Sequence, residues 1–116
     1  MIFVFGSNLA GIHGAGAALT AAYDHGALDG YGEGHHGDSY AIPTKDEKLK
    51  TLSIMRIKTY VDRFIQYAVA HPSLYFVITR VGCGLAGYKD KDIAPLFSAV
   101  PENCHIPITW ARFIRR

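Results

Sequence analysis

Cysteine, net charge and long apolar runs are all scarce in this chain, and each scarcity removes a class of function. Its two cysteines, Cys83 and Cys104, have no CxxC spacing, so neither a disulfide scaffold nor a zinc ribbon is available and a reduced pair is expected. Charge is nearly balanced, with 12 basic and 10 acidic residues. Part of the small surplus sits in Arg112, Arg115 and Arg116 at the carboxyl end, and no long basic stripe follows that could track a nucleic-acid backbone. No run reaches the roughly 20 apolar residues of a membrane span. The first apolar run starts at residue 2 and lacks the basic start and long apolar core of a signal peptide. A cytoplasmic protein with no membrane partner is the expectation. No G-x-x-x-x-G-K-[ST] phosphate loop occurs, and the amino-terminal turn spaces its glycines as G-x-x-G-x-G (Gly11, Gly14, Gly16), unlike the dinucleotide fingerprint.

What remains is an ordinary globular composition, 49% hydrophobic and 19% charged over 116 residues, the size of one domain with one core. Glycine is concentrated in two places. The strand-like run Ile2-Phe3-Val4-Phe5 leads into Gly6-Ser7-Asn8-Leu9-Ala10-Gly11-Ile12-His13-Gly14-Ala15-Gly16, and Leu74-Tyr75-Phe76-Val77-Ile78-Thr79 leads into Arg80-Val81-Gly82-Cys83-Gly84-Leu85-Ala86-Gly87-Tyr88. Glycine permits positive φ and close approach of a ligand to the backbone, and amides released from a sheet can point at an anion. Two such turns after two strands make a nucleotide phosphate site plausible; close packing of helix on strand is the plainer explanation of either turn alone.

Between the turns the chain alternates. Residues 14–25 are alanine-rich, carry Leu19 and Tyr23, and predict a helix ended by Gly26. Residues 26–38, with five glycines and Tyr31, His35 and His36, show no period and predict a mobile loop. Ser39-Tyr40-Ala41-Ile42 reads as a short strand that Pro43 ends. Ile54, Ile57, Val61, Phe64, Ile65, Ala68 and Val69 recur at three- and four-residue spacing, predicting an amphipathic helix capped by Thr51 or Ser53 and stopped at His71-Pro72. After strand 74–79, Asp90 or Asp92 can cap a short helix through Phe97, and His105–Trp110 reads as a final edge strand because of Pro107. The order strand-helix-strand-helix-strand-helix-strand predicts an α/β three-layer sandwich, its sheet largely parallel or mixed, with helices on both faces. Ligands of such sheets bind beyond the carboxyl ends of the strands, where both glycine turns and the Thr44-Lys45 turn would meet.

Several side chains there have both a chemical and a plain reading. Lys45 can pair with phosphate or, if desolvated, act as an amine nucleophile; it can equally be a solvated surface lysine. Asp90, Lys91 and Asp92 stand near the second turn, where a carboxylate can serve as general base or hold a ribose hydroxyl, or simply cap a helix. Asn8 can bond its own turn, a sugar, or both. Cys83 fits as a small side chain under a tight turn or as an acidified thiol. His35, His36 and Asp38 are metal-type ligands, but adjacent histidines on extended chain project to opposite sides, so no metal site is expected; a lid over a ligand and an ordinary loop are the other readings.

These segments resemble the macrodomain family of ADP-ribose-binding α/β modules, in particular its lysine-bearing branch, which includes terminal ADP-ribose protein glycohydrolase and the antitoxin macrodomains that remove ADP-ribose from DNA. The resemblance rests on Asn8 followed by H-G-A-G-A-A (His13 to Ala18), on S-Y-A-I-P-T-K (Ser39 to Lys45), and on V-I-T-R-V-G-C-G-L (Val77 to Leu85), in that order. It implies that Gly14 and Gly16 approach a ligand phosphate or the distal ribose, that Gly82, Cys83, Gly84 and Leu85 wrap the diphosphate, and that Gly6, Ser7, Asn8, Ala15, Thr44, Ala86, Gly87 and Tyr88 also face the ligand. It further implies that Lys45 attacks the anomeric carbon of the distal ribose. Ala86 stands where the branch carries an aspartate assisting that lysine, which leaves Asp90 as the replacement. The sequence has no Gly-Asp-Ile segment, whose aspartate bonds adenine in many macrodomains. The expectation is a single minimal macrodomain-like domain that needs no cofactor, binds ADP-ribose or a related nucleotide diphosphate sugar, and acts on an ADP-ribosylated protein or nucleic acid. A non-catalytic reader or nucleotide sponge, and a small Rossmannoid nucleotide sensor, are the alternatives.

Overall fold

In the computed structural model, which describes residues 1–114, the chain forms a five-stranded mixed sheet with helices on both faces. Arg115 and Arg116, counted above toward the carboxyl-terminal charge, lie outside the described residues. Strand β1 (Ile2–Asn8) is central. It pairs in parallel with β3 (Ser39–Lys45) on one side and β4 (Phe76–Ile78) on the other; β5 (Cys104–His105) extends the parallel set, and β2 (Gly34–His36) runs antiparallel on the outer edge of β3.

Side-chain alternation divides the core into two layers, as the period of two along a strand requires. Ile2 and Val4 of β1 and Tyr40 and Ile42 of β3 join the larger cluster, which also holds Phe76 and Ile78. Phe5 and Ala41 face the other way, against helix α1 (Gly16–Asp24). Only Ala18 and Ala21 of α1 are buried, so small residues seat it directly on the sheet while Tyr23 remains 81% exposed. Gly26, at φ +75°, turns the chain after α1.

Helix α2 (Ile54–Ala70) covers the large cluster and buries Ile57, Val61, Phe64 and Ala68. Each of the three larger side chains contributes roughly 1.5–3 kcal/mol on full burial. Of the residues in the predicted stripe, Val69 is the exception and faces solvent. Ser53 caps α2, its hydroxyl accepting from the Arg56 amide at 3.3 Å. At the other end the Asn103 amide nitrogen lies 3.0–3.1 Å from the carbonyls of Ala68, His71 and Leu74. A short helix α3 (Asp90–Ile93) and a 3₁₀ turn (Ala94–Phe97) complete this layer; Asp92 caps α3 by accepting from the Lys89 amide at 3.1 Å.

Four local expectations are corrected. Pro43 does not end β3, which continues to Lys45. Opposite it the ladder slips, Ser7 facing Pro43 and Asn8 facing Lys45, and the Ser7 carbonyl accepts from the Thr44 hydroxyl at 3.1 Å, so Pro43's missing N–H is accommodated. Residues 26–38 are not an irregular loop throughout. Residues 34–36 form β2, and the segment is tied down by the Gly30 amide donating to the Gly11 carbonyl (2.8 Å), by the Ser7 hydroxyl donating to the Gly32 carbonyl, and by an ion pair of Arg63 with Glu33 (2.8 Å). The strand expected over 74–79 spans only Phe76–Ile78, beyond which Thr79 turns its hydroxyl onto the Val4 carbonyl. The last strand ends at His105, because Pro107 starts a 3₁₀ segment (Ile108–Phe113) that buries Trp110 against Phe97, ring centroids 5.0 Å apart.

Cys83 and Cys104 are not joined in a disulfide. Among the described residues no helix is long and apolar enough to cross a membrane, and no group of three His, Cys, Asp or Glu could hold a metal ion.

Candidate functional site

The connections leave β1 in opposite directions: the chain first returns to pair β3 on one side, then crosses over β1 to place β4 on the other. A crevice opens at such a reversal, beyond the carboxyl ends of the strands. Here it is a cavity of about 510 Å³. Gly6, Ser7, Asn8, Gly14, Ala15, Gly16, Thr44, Lys45, Gly82, Cys83, Gly84, Leu85 and Ala86 all line it, so three stretches far apart in sequence meet where the connectivity predicts. Gly87, Tyr88 and Asp90 do not, nor does any residue of 26–38. Sequence reasoning did not single out Ile12, Leu49, Thr79 or Arg80, which also line it.

The wall built by α1 is a helix start without a cap. Ala15 occupies the N-cap position with no side-chain hydrogen bond, although Ser, Asp or Asn there would stabilise the helix by about 1 kcal/mol, and the first turn carries no acidic residue. The helix ladder begins with the Leu19 amide on the Ala15 carbonyl at 3.3 Å, which leaves the amides of Gly16, Ala17 and Ala18 without helical acceptors at the cavity wall. The opposite wall is the second glycine turn. It closes on itself, the Gly87 amide donating to the Gly84 carbonyl and the Tyr88 amide to the Gly82 carbonyl, each at 3.0 Å. Gly82 and Gly87 adopt φ of +76° and +88°, which favour glycine. Tyr88 leaves the turn for the core and donates to the Leu52 carbonyl at 2.6 Å. Thr51 donates to the Ala86 carbonyl at 3.0 Å, so the segment after Lys45 is joined to this turn at two points. The spacing Gly82-x-Gly84-x-x-Gly87 is itself G-x-G-x-x-G after a strand, a signal available in the sequence; the helix that follows begins only at Asp90 and has four residues, so this turn does not itself open a helix as in a dinucleotide site.

Two glycines on the cavity stand apart from the rest. Gly14 and Gly84 lack a left-handed φ, and a Cβ would meet nothing closer than 3.9 Å at Gly14 and nothing within 4 Å at Gly84. Gly32, by contrast, would drive a Cβ to 2.0 Å from the Asn8 carbonyl oxygen. The fold demands glycine at 32 and not at 14 or 84.

Electrostatically the cavity is one-sided. Lys45 and Arg80 line it, and among the described residues no aspartate or glutamate does. Lys45 is half-buried, and among the described residues no carboxylate oxygen lies within 4.0 Å of its ammonium. Arg80 is clamped in a fork by Asp90, Nε to Oδ1 at 2.9 Å and Nη2 to Oδ2 at 3.0 Å. Asp90 also accepts from the Trp110 indole N–H at 2.8 Å, and the Arg80 bond above all, then the indole, holds its carboxyl below the usual range. Asp90 therefore stands behind Arg80, with its oxygens engaged. The Cys83 thiol is pushed up to about 11, first by burial and then by the neighbouring Asp90 carboxylate, so at neutral pH it is a protonated, weakly nucleophilic thiol. Asn8 spends both ends of its amide on the turn, Nδ2 to the Ile12 carbonyl at 2.8 Å and Oδ1 from the Ile12 amide at 3.0 Å. His13, in the resemblance motif, is buried; its Nε2 faces the carbonyls of Leu28 (3.0 Å) and Tyr31 (3.2 Å), so it serves as a brace between the first turn and residues 28–31.

The uncapped start of α1 and the Lys45 ammonium, with no aspartate or glutamate among the described residues, make the cavity lining positive in character. Comparison of the chain with protein-family models, with curated proteins and with solved structures finds no match to any of them.

Proposed function

We propose that this chain binds ADP-ribose, or a related nucleotide diphosphate sugar, in the cavity at the carboxyl edge of its sheet, as a macrodomain-like module. The observation that carries the reading is the pair of glycines, Gly14 and Gly84, that no protein atom requires. They flank a cavity at which, among the described residues, the free side-chain charge is the Lys45 ammonium. A residue without a side chain at such a point lets a phosphate oxygen reach the amide, and the uncapped start of α1 gives that oxygen aligned N–H groups and a favourable dipole. A cavity of about 510 Å³ falls within the size range of small-molecule sites.

Binding without turnover is the better-supported form of this function. Were Lys45 a nucleophile, its neutral amine would attack the anomeric carbon, the bond to the acceptor would break with the electron pair leaving on the acceptor atom, and water would then release ADP-ribose and restore the amine. The ammonium must first lose a proton and the departing acceptor must gain one. Ala86 offers no group for either transfer, no aspartate or glutamate among the described residues lines the cavity, and Asp90 is engaged by Arg80 and Trp110. Calorimetric titration with ADP-ribose, beside AMP, of the native chain and Lys45→Gln tests both parts. Loss of one charge-assisted bond predicts affinity about 10- to 100-fold weaker for the variant. Unchanged affinity would remove Lys45 from the site, and release of ADP-ribose from a modified protein or nucleic acid by the native chain but not by Lys45→Gln would establish the hydrolase in place of the reader.

A further inference from the structure

The cavity's polar side chains are almost all spent within the protein. The Ser7 hydroxyl donates to the Gly32 carbonyl, Thr44 to the Ser7 carbonyl at 3.1 Å, Thr79 to the Val4 carbonyl at 2.7 Å and the Cys83 thiol to the Val81 carbonyl at 3.6 Å; Asn8 is closed on Ile12, and Arg80 on Asp90. What faces outward besides Lys45 and the backbone is aliphatic. Ile12, Leu49 and Leu85 line the same cavity and are 55%, 45% and 73% exposed.

Leu49 is the unusual member. Its φ is +62°, and among the described residues no other non-glycine residue has a positive φ. A leucine in the left-handed region is strained, and glycine or asparagine would sit there more easily. The turn that imposes this conformation is tightly made. The Asp46 carboxylate accepts from the amides of Lys48 (2.8 Å) and Lys50 (2.9 Å), the Asp46 amide donates to the Lys50 carbonyl (2.8 Å), and the Leu49 amide donates to the Asp46 carbonyl (3.1 Å). The turn begins directly after Lys45, so one local structure sets both the ammonium and an exposed aliphatic side chain on the cavity. Strain of this kind concentrates at ligand clamps.

We infer that Ile12, Leu49 and Leu85 grip the nucleoside of a nucleoside diphosphate by its apolar faces, with Leu49 as the residue that separates nucleoside diphosphates from bare diphosphate, and that the site does not discriminate among bases. The inference rests on the diphosphate reading above. A site that hydrogen-bonds a base edge can reject the wrong base by orders of magnitude, whereas aliphatic contacts reject a ring of similar shape only weakly. Among the described residues, no side-chain amide or carboxylate on this cavity is free to read a base edge. The ligand class is therefore nucleoside diphosphates and their sugar conjugates, with any base.

Calorimetry on the whole chain with ADP, GDP, UDP and inorganic pyrophosphate tests this. The three nucleotides should bind within about fivefold of one another and at least about tenfold more tightly than pyrophosphate. Leu49→Gly, which suits the left-handed backbone, should weaken all three about fivefold, leave pyrophosphate unchanged and leave the thermal midpoint no lower. ADP favoured more than about thirtyfold over GDP and UDP would overturn the inference. So would pyrophosphate binding as tightly as the nucleotides, or Leu49→Gly weakening pyrophosphate equally; both outcomes leave the diphosphate reading standing. Absence of binding by all four would remove that reading together with the inference.

Discussion

Gly84→Ala is expected to move stability and binding in opposite directions. The backbone at 84 is outside the left-handed region and a Cβ meets no atom within 4 Å, so alanine enters without strain. Alanine also restricts the unfolded chain more than glycine does, which stabilises the native state by about 0.4–1 kcal/mol at such a position. For a domain of this length that is a rise of roughly 1–5 °C in the unfolding midpoint. The same methyl group projects from a residue lining the cavity, into space that no protein atom occupies within 4 Å and that the proposed reading gives to a phosphate. Losing one or two charge-assisted amide contacts at about 1.5–3 kcal/mol each weakens ADP-ribose binding at least tenfold. Differential scanning calorimetry and a titration on one preparation give both numbers. Gly32→Ala is the control: a Cβ 2.0 Å from the Asn8 carbonyl forces backbone movement, and a loss of about 3 kcal/mol is expected. The reasoning fails if Gly84→Ala binds ADP-ribose as the native chain does, or if it destabilises the protein as Gly32→Ala should.

Three further outcomes follow from the same geometry. Asp90 has a folded pKa below its unfolded value, chiefly through Arg80; in that range the unfolded state binds the extra proton, so stability is present above about pH 4 and is lost as pH falls through the folded value. Asp90→Asn should therefore show a shallower acid-unfolding profile between about pH 5 and 2, and a profile as steep as the native one would contradict the Arg80 assignment. Cys83, raised to about 11, should alkylate slowly with iodoacetamide at pH 7.5 and faster as pH approaches that value, read as mass added to its peptide; rapid modification at neutral pH would refute the raised value. Thr51→Val removes the hydroxyl that reaches the Ala86 carbonyl and should weaken ADP-ribose binding a few-fold with a stability loss near 1 kcal/mol, measured by the same two calorimetric methods.

The position of the cavity was more legible in the sequence than the chemistry of its lining. Strand followed by glycine turn, twice, together with Thr44-Lys45 after a third strand, sufficed to bring thirteen of the expected residues to one cavity, because connectivity alone sends parallel strand ends to one edge. The α2 helix was legible for a similar reason, since Ile57, Val61, Phe64 and Ala68 repeat with the helix itself. What could not be read depends on contacts between distant segments. Pro43 in mid-strand is tolerated through a register slip in β1, which no local pattern around Pro43 announces. The glycine-rich 26–38 segment is held by Gly11, Ser7, His13 and Arg63, and β2 within it is a three-residue strand with no alternation to detect. Asp90 looked available to the site because it follows the second turn; Arg80 and Trp110, ten and twenty residues away, engage it. The strain at Leu49 arises from Asp46 gathering the amides of its own turn, and nothing in the residue type foretells it.

The measurement that bears most directly on the central claim is amide-resolved NMR of the isotope-labelled chain during titration with ADP-ribose. The account predicts saturable shifts at the amides of Gly14, Gly16, Ala17, Gly84 and Leu85, on the two walls of the cavity, with Lys89, Lys91 and Arg112 on the neighbouring surface little changed. Shifts confined to that neighbouring surface, or none at millimolar ligand, would contradict it.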